Sequence, residues 1–506
     1  MRYIVAICAA ALCLSACEDA PKETASPPEE IAQFADLPEQ AADAQPAGPA
    51  SYEIDMTVPL MEWESNQLLE MLAGSRLFAE VMRTKELTGY VVEPGKDKDL
   101  ERAQRDLEQI KANLARLSED GVPTYALVHS LDGSFVTAWL FSPDGGIIMS
   151  NSGNPYQGLG QLTEGIGVNR FAEVRAPRLR GEPAPTPADL RQLRAEDNTE
   201  EAKAKREETL AKTAEQLLPR IVGEALAERQ GRLLIVGTRD TGTAPYAALK
   251  LGGREAYENW SFVVLPDIAS LAGEDLGFDH RRLDLEQAVI VGNPDLSDDP
   301  VYIWKDLPGA ELEAKRVASR VDPDKSRVLM GKDATRQALV SAIKERPKAG
   351  MIYIATHAIA DQKVNPLTQG LIAMSGNSHY RPGHIRQERF DGMRENNPIV
   401  VMSACQTGLG RYMDGGGFGV ARTWTAKGAS QVIASLWNVS DKATLILMTR
   451  FMDQLKKGKA PEIAMQEAQR MTRDYRDSKG NYPFRDDPKL WASFTVYGQP
   501  SIATSS

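Results

Sequence analysis

The sequence predicts an α/β fold in which a mainly parallel β-sheet is flanked by helices. After residue 230, short apolar runs rich in β-branched residues alternate with segments of helical periodicity. The runs begin at Leu233, Ala288, Ile352, Ile399, Gln431 and Phe494. Because the runs are continuously apolar, they indicate strands that are buried on both faces and paired in parallel. In such sheets, functional side chains lie just beyond the carboxyl ends of the strands.

Composition and charge exclude several classes of protein. Hydrophobic residues make up 42% of the 506-residue chain and charged residues 25%, which excludes a wholly disordered or collagen-like protein. The chain has 59 Lys and Arg residues against 70 Asp and Glu residues, so its formal charge is −11. A chain this acidic has no broad basic face, and we therefore expect no nucleic-acid partner. The histidines lack metal-ligand spacing, so we expect no metal or other cofactor.

The first 17 residues have the pattern of an export signal that ends in a cysteine. A positive charge at Arg2 precedes an apolar run over 4–14, which is too short to span a bilayer as a helix. The segment 14–17 (Leu-Ser-Ala-Cys) is similar to the lipobox of bacterial lipoproteins, in which the cysteine is acylated and becomes the new N-terminus. We predict a signal peptide over 1–16, lipid attachment at Cys17 and a periplasm-facing anchor in the cell membrane or outer membrane. An ordinary signal peptide with an incidental cysteine is the alternative.

Cysteine usage leaves one thiol in the predicted mature body. The cysteines are Cys8, Cys13, Cys17 and Cys405, and loss of the signal peptide removes the first two. With Cys17 acylated, Cys405 has no partner for an intramolecular disulfide, although an exported protein would permit one. A thiol kept in an oxidising compartment favours a chemical role for Cys405, while the alternative is a small buried hydrophobe.

The region before residue 230 divides into three predicted parts. Residues 17–55 are rich in Pro, Ala and acidic residues, which is typical of a disordered tether. Apolar residues at helical spacing predict a helical hairpin over 56–120. Short apolar runs between turn residues, followed by a charged helix, predict a small β-rich pseudo-domain over 121–230. The main α/β domain is then expected over 231–506.

Two of the predicted strands end in residues with catalytic chemistry. The run at 352–355 is followed by Thr356 and His357, and the run at 399–402 leads to Cys405. Since the carboxyl ends of neighbouring parallel strands meet at one edge of a sheet, we expect this imidazole and this thiol to lie close together. The imidazole could then take the thiol proton and generate the nucleophilic thiolate. The remaining histidines are expected at surface or loop positions: His129, His280, His379 and His384.

Five short motifs follow one another over residues 355–498. They are Ala-Thr-His-Ala at 355–358, Asn-Pro-Leu-Thr-Gln-Gly-Leu at 365–371, Ser-Ala-Cys-Gln-Thr-Gly at 403–408, Ser-Leu-Trp-Asn-Val-Ser-Asp at 435–441 and Trp-Ala-Ser-Phe-Thr-Val-Tyr-Gly at 491–498. Each motif alone is weak, whereas the ordered series is specific. The series resembles the CHAT domain, a caspase-like fold related to separase and to the gingipain and clostripain peptidases. Weaker similarity extends upstream to the strands predicted near 123.

The resemblance implies a cysteine endopeptidase that acts on protein or peptide substrates. By motif position, Cys405 is the nucleophile and His357 the base, and the backbone N–H groups of Cys405 and Ala358 form the oxyanion hole. The family usually has glycine after the histidine, so Ala358 is a departure. Asp441 stands where relatives have an acidic residue that binds Arg or Lys before the cut, which implies a substrate-binding role. The other interpretation of Asp441 is an N-cap of the helix that follows it.

Two other functions stay open at this point. The first is a non-catalytic scaffold or binding lipoprotein that kept the CHAT fold without cleaving anything. The second is another cysteine hydrolase, such as an amidase, that uses the same Cys–His pair. The sequence identifies neither the natural substrate nor a protein regulator.

Overall fold

An eleven-stranded β-sheet organises the computed structural model of the protein. The structure describes residues 54–88, 99–156, 158, 160–166, 178–179, 196, 199–238, 240–359, 370–404, 412–413, 416–417, 420–437 and 439–502. The predicted signal peptide, nearly all of the predicted tether, Cys17 and Cys405 lie outside the described residues. The oxyanion-hole contribution expected from the backbone of Cys405 lies outside them as well.

Most neighbouring strands of the sheet are parallel. In chain order the strands are β1 (Thr124–Asp132), β2 (Phe135–Phe141), β3 (Ile147–Asn151), β4 (Gly231–Val236), β5 (Trp260–Val264), β6 (Ala288–Pro294), β7 (Arg327–Gly331), β8 (Met351–Ala355), β9 (Ile399–Ser403), β10 (Gln431–Ser435) and β11 (Phe494–Gly498). Their spatial order is β7-β6-β8-β9-β10-β11-β5-β4-β1-β2-β3. The pairs β1–β2, β2–β3 and β10–β11 are antiparallel and the others are parallel. The predicted mainly parallel sheet is therefore confirmed.

Helices flank this sheet along the described chain. The longer ones are α1 (Glu62–Thr88), α2 (Leu100–Leu117), α3 (Glu200–Leu217), α4 (Arg220–Ala227), α5 (Pro308–Ala318), α6 (Arg336–Glu345), α7 (Val420–Lys427), α8 (Asp441–Lys456) and α9 (Pro461–Arg473). Short helices lie at Gly160–Gly165, Ile268–Leu271, Pro382–Gln387, Met393–Asn396 and Pro488–Trp491. The helices α1 and α2 confirm the predicted N-terminal helical hairpin. The boundaries given above for the domains stay predictions.

The strands near the middle of the sheet bury both of their faces. In β8, Ile352 and Ile354 belong to the same apolar cluster as residues of α6 and α7. Their neighbours Tyr353 and Ala355 belong to the cluster that contains residues of α5 and α8. Successive side chains of a strand point to opposite faces, so a strand covered by helices on both sides is apolar at every position. This double burial explains the continuous apolar runs in the sequence.

The two strands that the sequence did not indicate have weaker apolar runs. In the edge strand β7, Leu329 is buried while Arg327 and Val328 are exposed, so no continuous apolar run marks it. In β5, Ser261 interrupts the apolar residues. The β-rich region predicted after residue 121 forms β1, β2 and β3, which extend the same sheet because β1 pairs in parallel with β4.

A buried charge network joins elements from both ends of the chain. Arg232 of β4 is fully buried, and its guanidinium donates to Glu462 of α9 and to Asp120, each at 2.9 Å. Glu462 also accepts a hydrogen bond of 3.0 Å from Gln431 of β10. Burial raises the pKa of Glu462, but Arg232 and these hydrogen bonds hold it below its usual range. Removal of one partner would leave a buried charge uncompensated, which typically costs about 3–5 kcal/mol.

Candidate active site

The ends of β8 and β9 lie side by side in register. Ala355 pairs with Ser403, and the N–H of Thr356 donates to the Ser403 carbonyl at 3.2 Å. His357 and Cys405 therefore each follow this register pair by two residues. Cys405 lies outside the described residues, and its described neighbour on the strand side is Ala404. The register brings the chain segments that hold these two residues to the same edge of the sheet.

His357 is held by two consecutive residues of the loop between β6 and α5. The histidine is 5% exposed, and its Nε2 lies 2.5 Å from the carbonyl oxygen of Lys305. Because a carbonyl only accepts, the proton of the neutral ring is assigned to Nε2, and Nδ1 is then the basic nitrogen. The indole of Trp304 packs against the imidazole, with ring centroids 5.2 Å apart. Together these contacts fix the tautomer and the plane of a candidate general base.

Sequence reasoning missed this loop, which is built around a buried carboxylate. Asp299 accepts hydrogen bonds from the indole N–H of Trp304 and from the Nε2 of His379, the latter at 2.9 Å. No periodicity marks loop residues, and the carbonyl of Lys305 acts independently of its side chain. The available signal was the Val-Tyr-Ile-Trp run at 301–304, shortly after the polar residues Ser-Asp-Asp at 297–299.

Ala358 occupies a position that does not require glycine. It lies in a two-residue strand, Ala358–Ile359, which pairs antiparallel with Leu371–Ile372. Ala358 is not among the residues with positive φ, so its backbone is in a conformation that alanine adopts without strain. The adjacent carbonyl of His357 accepts a 2.8 Å hydrogen bond from the N–H of Ala373. The departure from the family pattern therefore costs nothing in local backbone geometry.

Asp441 lies at the start of α8 and contacts the start of α5. One carboxylate oxygen accepts a 2.9 Å hydrogen bond from the N–H of Gly309. A Cβ added at Gly309 would lie 2.4 Å from the carboxyl carbon of Asp441, so glycine is needed for this close approach. The N-cap of α8 is Ser440. The structure therefore does not show Asp441 as the N-cap of its own helix; its carboxylate sits instead at the positive end of α5.

A second carboxyl group is buried beneath the two strand ends. Glu313 of α5 is 2% exposed and accepts a 2.7 Å hydrogen bond from the hydroxyl of Tyr353 in β8. Burial first, and then the charge of Asp441, raise the pKa of Glu313 to about 8, against the lowering effect of hydrogen bonds to Ser403 and Tyr353. Glu313 is therefore protonated at neutral pH. Its signal in the sequence was the Leu-Pro-Gly-Ala-Glu-Leu-Glu-Ala run at 307–314.

The other histidines differ in their surroundings. His379 lies in a loop, as expected, and pairs with Asp299. His129 contradicts the expectation of a surface or loop position, because it lies within β1 and is 4% exposed. No local sequence pattern indicates that the carbonyl of Leu217, 2.7 Å from its Nε2, satisfies a buried imidazole at this position.

The described part of the chain also bears on metals and membranes. Within it, no group of three or more His, Cys, Asp and Glu residues is placed to hold a metal ion. No helix in the described ranges is both long and apolar enough to cross a membrane.

Comparison with known proteins agrees with the motif series. The family model of the CHAT domain matches residues 207–499. Tetratricopeptide repeat protein 28 of Mus musculus is 23% identical over 315 residues, and its Homo sapiens counterpart is 22% identical over 311 residues. Each match covers 53% of this chain but only 12% of the relative, so the chain spans a small part of those proteins.

One solved fold resembles most of the chain. The crystal structure of the Saccharomyces cerevisiae separase–securin complex aligns with a TM-score of 0.56 and 9% identity, over 88% of this chain and 34% of that chain. A second crystal structure of the same complex gives a TM-score of 0.55. At this identity the likeness shows a shared fold and nothing about activity.

Proposed function

The chain belongs to the CHAT domain family, whose model covers residues 207–499, and on this premise we propose that it is a cysteine endopeptidase. The observation that carries the proposal is the register of β8 and β9 together with His357 held in the tautomer whose Nδ1 is basic. Ala355 pairs with Ser403, and His357 and Cys405 each follow this pair by two residues. A histidine in this tautomer can accept the proton of a thiol there.

The proposed reaction is an acyl transfer in two stages. His357 takes the proton of the Cys405 thiol, and the thiolate attacks the carbonyl carbon of the scissile peptide bond. The backbone N–H groups of Ala358 and Cys405 stabilise the negative charge on the carbonyl oxygen. His357 then gives its proton to the leaving amine, and a thioester forms. Water hydrolyses the thioester with His357 again as the base, which restores the thiol.

For substrate choice, we propose that Asp441 favours Arg or Lys before the cut. The support is its place in the motif at 435–441 and its chemistry, since a carboxylate suits the geometry of a guanidinium and the charge of an ammonium group. Asp441→Asn can still accept the bond from Gly309, so the fold should persist. We expect this variant to lose at least about tenfold in kcat/KM on Arg and Lys peptides. An unchanged ratio of kcat/KM between basic and neutral peptides would remove Asp441 from the substrate pocket.

We further propose that acyl chains on Cys17 anchor the protein to a membrane, with its body facing the periplasm. The support is the similarity of residues 14–17 to a lipobox. Incorporation of labelled fatty acid in a bacterial host, compared between the natural sequence and Cys17→Ser, tests the anchor. Equal labelling of both would contradict it.

The endopeptidase proposal is tested on purified protein that lacks residues 1–17. We expect Cys405 to react with an iodoacetamide probe faster than a free thiol does at pH 7, and peptides with Arg or Lys to be cut. Cys405→Ala should abolish both, and mass spectrometry of the products locates the cut. Slow alkylation without cleavage of any peptide would favour a non-catalytic scaffold, and cleavage confined to small amides would favour an amidase.

A further inference from the structure

Asp299 is a buried carboxylate that collects four hydrogen-bond donors. It is 2% exposed, and Oδ1 accepts from the backbone N–H groups of Val301 at 2.8 Å and Tyr302 at 3.0 Å. Oδ2 accepts from the indole N–H of Trp304 and, at 2.9 Å, from His379. Although burial raises the pKa of Asp299, the hydrogen bonds from Trp304, Tyr302 and Val301 lower it below the usual range. Asp299 is therefore an anion at neutral pH.

These bonds hold residues 301–304, the stretch of chain that leads directly to the two residues in contact with His357. The bonds to Val301 and Tyr302 fix the backbone of a tight turn, and the bond to Trp304 fixes the indole ring. That ring lies 5.2 Å, centroid to centroid, from the imidazole of His357. The next residue, Lys305, supplies the carbonyl that accepts from Nε2 of His357. Both of these contacts to His357 thus come from consecutive residues, and the Asp299 carboxylate holds the turn that precedes them, together with the pairing of Tyr302–Ile303 with Arg178–Leu179.

His379 also packs against the indole of Trp304. Its ring lies edge-on to Trp304, with centroids 5.9 Å apart and an angle of 67° between the rings. The bond from His379 to Asp299 also ties the loop to the segment that follows Leu371–Ile372, the partner strand of Ala358. Asp299 is therefore linked both to the loop that contacts His357 and to the segment after the strand that pairs with Ala358.

We propose that Asp299 is a positioning residue for His357, which it orients by holding Trp304 and the carbonyl of Lys305 against the imidazole. This inference rests on the proposed endopeptidase function, because it assigns a role within that site. The link from Asp299 to His357 runs through Trp304 and Lys305, so the effect that we assign to it is on the geometry and tautomer of the base. Small misplacements of a catalytic group lower the rate of the chemical step more than they weaken substrate binding.

The test compares three variants with a matched control. Asp299→Asn removes the charge and leaves one acceptor oxygen for donors that now share two, Trp304→Phe removes the indole N–H, and the double variant combines the two changes. Asp295→Asn is the control, because Asp295 lies in the same loop and accepts a hydrogen bond from Ser297, but does not contact Trp304. We expect Asp299→Asn to lower kcat by about tenfold or more with KM nearly unchanged. The double variant should be no slower than Asp299→Asn, and the control should keep the activity of the natural sequence.

A second measurement is independent of cleavage. Imidazole ¹⁵N spectra of the five histidines, assigned by His357→Gln, should show His357 as the Nε2–H tautomer in the natural sequence. In Asp299→Asn, and to a smaller extent in Trp304→Phe, we expect a mixture of tautomers. An unchanged His357 tautomer in folded Asp299→Asn would overturn the inference whether or not the protein cuts peptides. Absence of cleavage by the natural sequence would instead count against the proposed function.

Discussion

His129 and His357 lie in opposite halves of the sheet and are bound in a similar way. Nε2 of His129 lies 2.7 Å from the carbonyl of Leu217, and Nε2 of His357 lies 2.5 Å from the carbonyl of Lys305. Each imidazole also has an aromatic neighbour. The ring centroids are 6.3 Å apart for His129 and Tyr246, and 5.2 Å apart for His357 and Trp304. A backbone carbonyl and an aromatic ring are thus a general means of burying an imidazole.

The two histidines differ in what lies around the second nitrogen. His129 is inside β1, and the hydroxyl oxygen of Tyr246 lies 3.5 Å from its Nδ1. The region 121–238 contains no cysteine. His357 comes after the end of β8, beside the strand that leads to Cys405. The carbonyl contact is therefore common to both histidines, and the proposed catalytic role of His357 depends on its position beyond a strand end, next to the strand that leads to Cys405.

The largest expected effect is the loss of cleavage when the base is removed. His357→Gln should lower kcat by roughly 10²- to 10⁴-fold, the usual contribution of a general base. Steady-state kinetics on an Arg or Lys peptide measure it. His129→Gln is the matched control, and once folded it should retain activity within about twofold because His129 is remote from β8 and β9 in the sheet order. Equal losses of activity in both variants would contradict the assignment of the base to His357.

The next effect concerns stability in the half of the sheet that contains the site. The pKa of Glu313 rises from 4.5 to about 8 on folding, so the folded state holds a proton that the unfolded state releases above pH 4.5. The contribution of Glu313 to the free energy of unfolding should therefore fall as pH rises from about 4.5 to 8. Relative to the natural protein, Glu313→Gln should gain up to about 1.4 kcal/mol per pH unit in this window.

Urea denaturation at several pH values measures the difference between Glu313→Gln and the natural protein. Glu311→Gln is the control in the same helix, since Glu311 pairs with Lys315 at the surface. A difference that stays constant from pH 5 to pH 8 would mean that Glu313 is ionised in the folded state.

The smallest effect is the opposite pH dependence in the other half. Burial lowers the pKa of His129 from 6.5 to about 4, so the folded state keeps the imidazole neutral where the unfolded chain takes up a proton. The stability that the neutral imidazole of His129 contributes is fully present above pH 6.5. It is lost as pH falls toward about 4, by up to about 1.4 kcal/mol per pH unit. This pH window, from about 4 to 6.5, is narrower than the window of Glu313, from about 4.5 to 8. His129→Gln should remove this acid-side slope, which thermal unfolding between pH 4 and pH 7 would show. A slope that persists unchanged would assign it to other groups.

The sequence predicted those parts of the fold that depend on burial. β8 and β9 were predicted because burial on both faces forces a continuous apolar run. The edge strand β7 has only Leu329 buried, so it has no such run and was missed. The placement of His357 at a strand end also followed from sequence, since a polar residue directly after an apolar run marks that point.

The supports of the site could not be predicted in the same way. The bond between Asp441 and Gly309 joins residues 132 positions apart, and no local pattern encodes such a contact. The carbonyl of Lys305 could belong to any residue type. Asp299 and Trp304 lie in a loop, where no periodicity distinguishes an anchoring carboxylate from a solvated one. His129 was misplaced because its compensating acceptor comes from Leu217, a residue of another element.

The pairing of β1 with β4 has a practical consequence for anyone who expresses part of this protein. A fragment that starts at residue 231 would lose five backbone pairs along β4 and keep Arg232 without its contact to Asp120. The bare rim of such a truncated product is a template for intermolecular strand addition, so insoluble material is expected. Recombinant versions should therefore begin upstream of Asp120.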